Sequence, residues 1–340
     1  MMEERLKIND NIKTAMMLAV VLYHACMFFT GSWFDAVSPV YDAKYIAVFA
    51  KYLNTLHVQT FTMASGFLFY ALKKEKSRYC ADFQSDIRKR AKRLLLPYAA
   101  TIVFWVLPFY IAYSGFNIRQ IAYKYVLGCA PSQLWFLPML FWLFIAAYIA
   151  FSKHKPNEVG LCSSILISIG GGYILNKIGF INILQIVTAV NYAMFYYLGA
   201  YLYEKKIKVN VGKVTACAVI SVVGYGFSYL LIGDGPMLVK LVRLLASNAC
   251  SLAGVLLVYG IGNLFGCHAG RSALWSKLRQ NSFGIYLFHQ QLIYPCIMIL
   301  NGKVHPVVQV IISLMIAICG AGAISEILRK FRLTKIIFGV

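Results

Sequence analysis

The chain has 340 residues, 60% of them hydrophobic and only 13% charged, where soluble globular domains carry roughly 25% charged residues. Its 33 Lys and Arg against 12 Asp and Glu give a net charge of +21, yet the basic residues sit in short segments between apolar runs and form no RNA-binding or zinc-finger signature. Composition thus excludes a soluble domain and a nucleic-acid partner, and leaves one membrane domain over 1–340, with no appended soluble domain.

An apolar helix of about 20 residues crosses a bilayer core of roughly 30 Å. On that rule ten spans are predicted: 12–30, 46–72, 97–113, 135–151, 160–176, 183–203, 213–232, 238–263, 281–300 and 306–328. The first, IKTAMMLAVVLYHACMFFT, is too long for a cleavable leader, and no small-residue cleavage site follows it. It holds His24, about 16 Å beyond Lys13 and so near the bilayer midplane. A histidine among lipid tails costs free energy unless it faces protein or water, and by default it marks a functional site. The bland alternative is a hydrogen bond to a neighbouring helix.

The second span carries Asn54, His57, Gln59, Thr60, Thr62 and Ser65. A serine in a span usually bonds back to its own helix, so Ser65 is the weaker candidate nucleophile. The loop that follows, 73–96, reads KKEKSRYCADFQSDIRKRAKRLLL. A basic inside loop is expected on topology alone and can touch anionic lipid. The density of Arg88-Lys89-Arg90-Ala91-Lys92-Arg93 goes beyond that. On a helix Arg90 and Arg93 share a face, and two guanidinium forks can grip a phosphorylated ligand, with Arg88 and Lys89 beside them.

Trp135 and Trp142, in the fourth span, suit an interface or a packed wall. Gly170-Gly171-Gly172 weakens the fifth as a helix. The ninth, NSFGIYLFHQQLIYP, carries Tyr286 and His289; His289 lies about 15 Å past Arg279, at the depth of His24, so the two can share one cavity. His154, His268 and His305 fall in loops and are expected to be solvated. Lys and Arg cluster in alternate connecting segments, which puts both termini in the cytoplasm. The expected fold class is all-α: a polytopic membrane bundle of about ten transmembrane helices.

Other chemistries find little support. The nine cysteines include no CxxC pair, which argues against a disulfide framework or a metal site. HExxH, GxSxG and GxGxxG are absent. Acidic residues lie almost wholly in loops, Glu326 alone approaching a span, which tilts against a proton-driven transporter. What remains is a neutral histidine able to take a proton from a hydroxyl above a patch able to hold phosphates.

Six stretches, in order, resemble the acyltransferase-3 family of integral membrane O-acyltransferases. IKTAMMLAVVLYHACMFFTGSWF is similar to its opening helix, a basic residue and an apolar run ending VVL-x-H. TLHVQTFTMASGFLFY is similar to its FH-x-P-x-F-F-x-x-SG element, with Gln59 in place of proline and Thr62 in place of an aromatic residue. RKRAKRLLLPY resembles its R-x-x-RLL-x-PY, QLWFLPMLF its LWFL-x-x-LF, YYLGAYLY its F-LG-Y and FGIYLFHQQLI its S-x-x-IYL-x-H. The nearest flavour is the group of fucose and polysaccharide O-acetylases.

The resemblance implies transfer of an acyl group, commonly acetyl from acetyl-CoA, to a hydroxyl of a sugar. His24 takes the place of the essential histidine, by proton abstraction or by forming an acyl-histidine. Arg90 and Arg93, helped by Arg88 and Lys89, take that of the acyl-CoA donor site. His57, Ser65, Trp135, Tyr286 and His289 are expected on the acceptor side of the cavity, where the departures at Gln59 and Thr62 also fall. The implied partners are acyl-CoA as co-substrate with no bound cofactor, a surface glycan or its lipid-linked precursor, and the bilayer of a bacterial cytoplasmic membrane; a homo-oligomer is compatible. The rival reading is a glycan or small-solute exporter or carrier of the same architecture.

Overall fold

Apolar segments without water must close their backbone hydrogen bonds internally, and the chain is helical, with no strand among the described residues. The computed structural model describes residues 2–31, 33–34, 36–76, 82–233, 235–265 and 272–340. His268, Arg271 and residues 77–81 of the basic loop lie outside the described residues.

The helices are α1 (Met2–Met27), α2 (Lys44–Asn54), α3 (His57–Lys76), α4 (Phe83–Thr101), α5 (Leu107–Ser114), α6 (Ile118–Ile121), α7 (Phe136–Ala150), α8 (Glu158–Leu166) and α9 (Gly172–Lys177). They continue as α10 (Ile186–Lys205), α11 (Val211–Leu230), α12 (Met237–Phe265), α13 (Ala273–Leu300), α14 (Pro306–Lys330) and α15 (Arg332–Phe338). Several begin on side chains that satisfy their orphan N–H groups. Asp82 accepts from Gln84 N and Ser85 N at the start of α4, Asn210 from Lys213 N at α11, and Ser272 from Trp275 N at α13.

Among the described residues nine helical stretches are long and apolar enough to cross a membrane, one fewer than the ten predicted. The missing one lies in 46–72, where the chain breaks at Thr55-Leu56 into α2 and α3. His57, Gln59, Thr60, Thr62 and the KKEK end make α3 too polar to qualify. It is nonetheless 20 residues long and lies deep in the bundle, packed along α10 and α1. A second correction concerns the basic loop: from Phe83 it is helix, continuous through α4, a π-helical stretch at Ile102–Val106 and α5, so the third span is the far part of Phe83–Ser114. The fifth span stays helical through its glycines by widening to a π-helix at Ile167–Gly171.

Three helix ends meet at one end of the bundle. Arg5 of α1 donates to Leu202 O and Tyr203 O, the last carbonyls of α10, at 3.1 and 3.0 Å, and lies over the Tyr203 ring. Lys74 of α3 pairs with Glu204 at 2.6 Å. A cation on a helix C-terminus satisfies carbonyls that have no intrahelical partner. This is the basic end. In their most apolar stretches, α1 and α13 are each 56% buried, whereas α11 is 6% and α8–α9 11% buried. The stretches containing α7 and α10 are each 50% buried, so the centre is α1, α3, α7, α10 and α13, with α11 and α8–α9 outermost. Where α3 crosses α10 the backbones nearly touch: a Cβ on Gly66 would lie 1.9 Å from Tyr196 O, and one on Gly199 1.9 Å from Met63 O.

Candidate functional site

The central helices enclose a cavity of about 840 Å³ that runs from the basic end toward the opposite end. Its basic end is lined by Lys13 of α1, Arg90 and Arg93 of α4 and Arg279 of α13, with Asp10 beside them. The three-residue spacing turns Arg90 and Arg93 to the cavity, and Arg90 rests its guanidinium 4.3 Å over the ring of buried Phe144. Arg88 and Lys89 are exposed and do not line the cavity: Arg88 lies on the side of α4 opposite Arg90 and Arg93, and Lys89, four residues before Arg93, stands at the edge of their face, so the structure does not bring either to the cavity end where they were expected.

At mid-depth the wall is made by Tyr23, His24, His57 and Phe61. His24 is 9% exposed and His57 1%. The Tyr23 ring lies between them, its centroid 5.0 Å from that of His24 and 4.7 Å from that of His57. His57 occupies the first turn of α3, with Nδ1 against Leu53 O. Ser65 lines the cavity with its hydroxyl donated to Phe61 O at 2.9 Å, the back-bonding ordinary for a serine in a span.

His289 stands elsewhere than expected. It is 0% exposed and lies behind His24, outside the cavity wall. On α13 the residues that face the cavity are Arg279, Ser282, Phe283, Tyr286 and Gln290, a helical stripe. His289 is one position, and so about 100°, away from Gln290. That turns it toward α1, where its Nε2 lies 3.0 Å from His24 Nδ1. The matching depths inferred from the sequence thus become a ring-to-ring contact, with centroids 5.0 Å apart.

The opposite end is aromatic and amide-rich. Trp33, Trp135, Asn54, Gln133, Gln185 and Gln290 all line it. Trp135 is braced edge-on by Phe136 and Tyr192. The Tyr286 hydroxyl donates to Gln133 O at 2.6 Å, and Gln133 Nε2 donates to Leu287 O and Gln291 Oε1, so this turn is bolted to α13 from both sides. Three residues here hold left-handed backbone without being glycine: Ser132 (φ 54), Leu184 (φ 46) and Gln185 (φ 62). Such strain persists where surrounding structure over-determines it and clusters at ligand clamps; Gln185 Nε2 supplies the hold by donating to Gly128 O and Cys129 O. Gln290 donates to the Tyr294 hydroxyl through Nε2, while its buried Oε1 has no hydrogen-bond partner among the described residues.

Sequence reading missed Lys13 as a site residue, taking it for a topological anchor, and missed Arg279, Trp33, Gln133, Gln185 and Gln290. A signal existed for two of them: Gln185 and Gln290 are amides inside the predicted apolar spans 183–203 and 281–300, and such groups need partners.

The arrangement can hold an anionic group at one end, a polyhydroxylated ring at the other, and an imidazole between them. A family model described as an acyltransferase domain matches residues 9–326. No curated protein and no solved structure matches the chain.

Proposed function

The chain belongs to the acyltransferase-3 family, and we propose that it is a membrane O-acyltransferase moving acetyl from acetyl-CoA to a sugar hydroxyl of a surface polysaccharide or its lipid-linked precursor. One observation carries this reading: a single cavity joins the cationic end, His24 and the aromatic, amide-lined end. Acyl-CoA docks from the basic, cytoplasmic end, its phosphates on Lys13, Arg90 and Arg93 through charge-assisted hydrogen bonds. The pantetheine arm covers the roughly 16 Å to His24, half a membrane. The acceptor approaches from the far end, where Trp33 and Trp135 offer apolar faces to a pyranose ring and Gln290 Oε1 can accept from one of its hydroxyls.

In the reaction, His24 takes the proton of the attacking hydroxyl. The oxygen adds to the thioester carbonyl, and the C–S bond breaks as the intermediate collapses. The leaving thiolate takes from His24 the proton that came from the hydroxyl and departs as CoA thiol. His57, on the same wall, is near enough to shape the acceptor's approach.

Purified protein given acetyl-CoA tests this: free thiol is expected only once a glycan acceptor is added, and protein that neither binds nor consumes acyl-CoA would instead fit a carrier. Arg93→Ala, at the cavity mouth, is expected to raise the acyl-CoA KM about tenfold with kcat little changed, the loss of one hydrogen bond to a charged group. The effect should shrink at high salt. An unchanged KM would remove Arg93 from the donor site.

A further inference from the structure

Partners fix the protons on the His24–His289 pair. An imidazole nitrogen facing a carbonyl oxygen must carry a hydrogen, since a bare nitrogen would set lone pair against lone pair. His289 Nδ1 lies 3.0 Å from Ile285 O and 2.9 Å from Tyr286 O. The proton of that ring therefore sits on Nδ1, and Nε2 keeps its lone pair. His24 Nδ1 lies 3.0 Å from this Nε2 and 3.0 Å from Val20 O. Both of those neighbours are acceptors, so His24 Nδ1 carries the hydrogen that they share.

The opposite assignment fails at every contact but one. Moving the protons to His289 Nε2 and His24 Nε2 would point a bare His289 Nδ1 at two carbonyls and a bare His24 Nδ1 at a third. One arrangement of the neutral pair satisfies all the partners, and it leaves the lone pair of His24 on Nε2, on a ring that lines the cavity. His57 has its own carbonyl at Leu53 and no second ring within hydrogen-bond distance among the described residues, so this two-ring construction belongs to His24.

We propose that His289 is a positioning residue: through Nε2 it holds His24 in the Nδ1–H tautomer, presenting a bare Nε2 to the acceptor hydroxyl. A buried carboxylate does the same beside the histidine of serine hydrolases; here a neutral imidazole, itself oriented by two main-chain carbonyls, takes its place. When His24 Nε2 receives the hydroxyl proton, His289 Nε2 and Val20 O remain as acceptors for the Nδ1–H of the resulting cation. The proton then leaves from Nε2 to the thiolate, and His289 neither gains nor loses one. The catalytic meaning rests on the acyltransferase reading; the proton positions do not.

Two measurements test it separately. In ¹⁵N spectra of the full chain, histidine-labelled in lipid bilayers and with His24 identified by difference against His24→Gln, His24 should show a protonated Nδ1 and a bare Nε2. A protonated Nε2 with a bare Nδ1 overturns the proposal. In turnover, His289→Gln sets a carbonyl oxygen near the position of imidazole Nε2 and is expected to retain transfer within about tenfold. His289→Leu fills the space without an acceptor and should lower kcat about 100-fold or more at unchanged acyl-CoA KM, as a wrong tautomer does elsewhere. An unimpaired His289→Leu, or equal losses in both variants at normal protein level, would also overturn it. A variant that does not fold leaves the wild-type spectrum to decide. A wild-type chain that transfers no acyl group defeats the functional reading without touching the tautomer result.

Discussion

His24→Gln is expected to lower acyl transfer about 1000-fold or more in kcat, in a protein that still folds and still binds acyl-CoA. A positioned general base contributes about 10² to 10⁴ in rate, and glutamine cannot accept and return a proton near neutral pH. It does keep the volume of the ring, so the cavity wall closes as before. The folded state should survive, because the hydrogen bonds of His24 run to Val20 O on its own helix and to His289 and join no other pair of helices. Donor affinity is set near Lys13, Arg90 and Arg93, about half a membrane away, and should stay within about threefold. The measurement is single-turnover thiol release alongside acyl-CoA binding. Full activity at normal protein level would remove His24 from the chemistry, and equal loss of binding and turnover would make its role structural.

The depth of His24 was legible because it needed only a charged anchor and a helical rise. Its contact with His289 was half legible: two histidines at one depth can meet, but which helices are neighbours is a tertiary fact that sequence spacing does not contain. The face of α13 was harder still. His289 and Gln290 are adjacent in sequence and point about 100° apart, so the more conspicuous residue drew the cavity assignment that belongs to its neighbour.

The break at Thr55-Leu56 escaped for a local reason. No proline or glycine marks it, and the apolar residues on both sides read as one run. The chain is held there by Thr55 Oγ1 donating to Tyr52 O and Gln59 Nε2 donating to Asn54 O, bonds that any polar residue in a span could have made to its own helix instead. The basic stretch failed in the opposite direction. Charge suggested a loop, while Asp82 caps a helix that carries Arg90 and Arg93 inward along one face. Arg88 then falls on the opposite side and Lys89 at the edge of that face, both exposed, a distinction that density of charge alone does not make.

Gly199→Val is expected to cost about 3 kcal/mol or more, the upper end of what overpacking a well-filled interior costs. Association of helices in lipid depends on close packing, and small residues let backbones approach. At the α3–α10 crossing that approach is mutual: Gly199 meets Met63 O and Gly66 meets Tyr196 O, each leaving 1.9 Å for a Cβ that needs well over 3 Å. The obstacle on both sides is main chain, which cannot rotate away as a side chain would, so α3 must move off α10. α3 carries His57 and Ser65, and α10 carries Tyr196, all on the cavity wall; the substitution should therefore reduce both the yield of monodisperse protein in detergent and its thermal midpoint, with activity falling in step. Gly226→Ala is the matched control: nothing lies within 4 Å of the added methyl, and alanine is the better helix former. Equal behaviour of the two variants would mean that α3 and α10 do not cross at this pair of glycines.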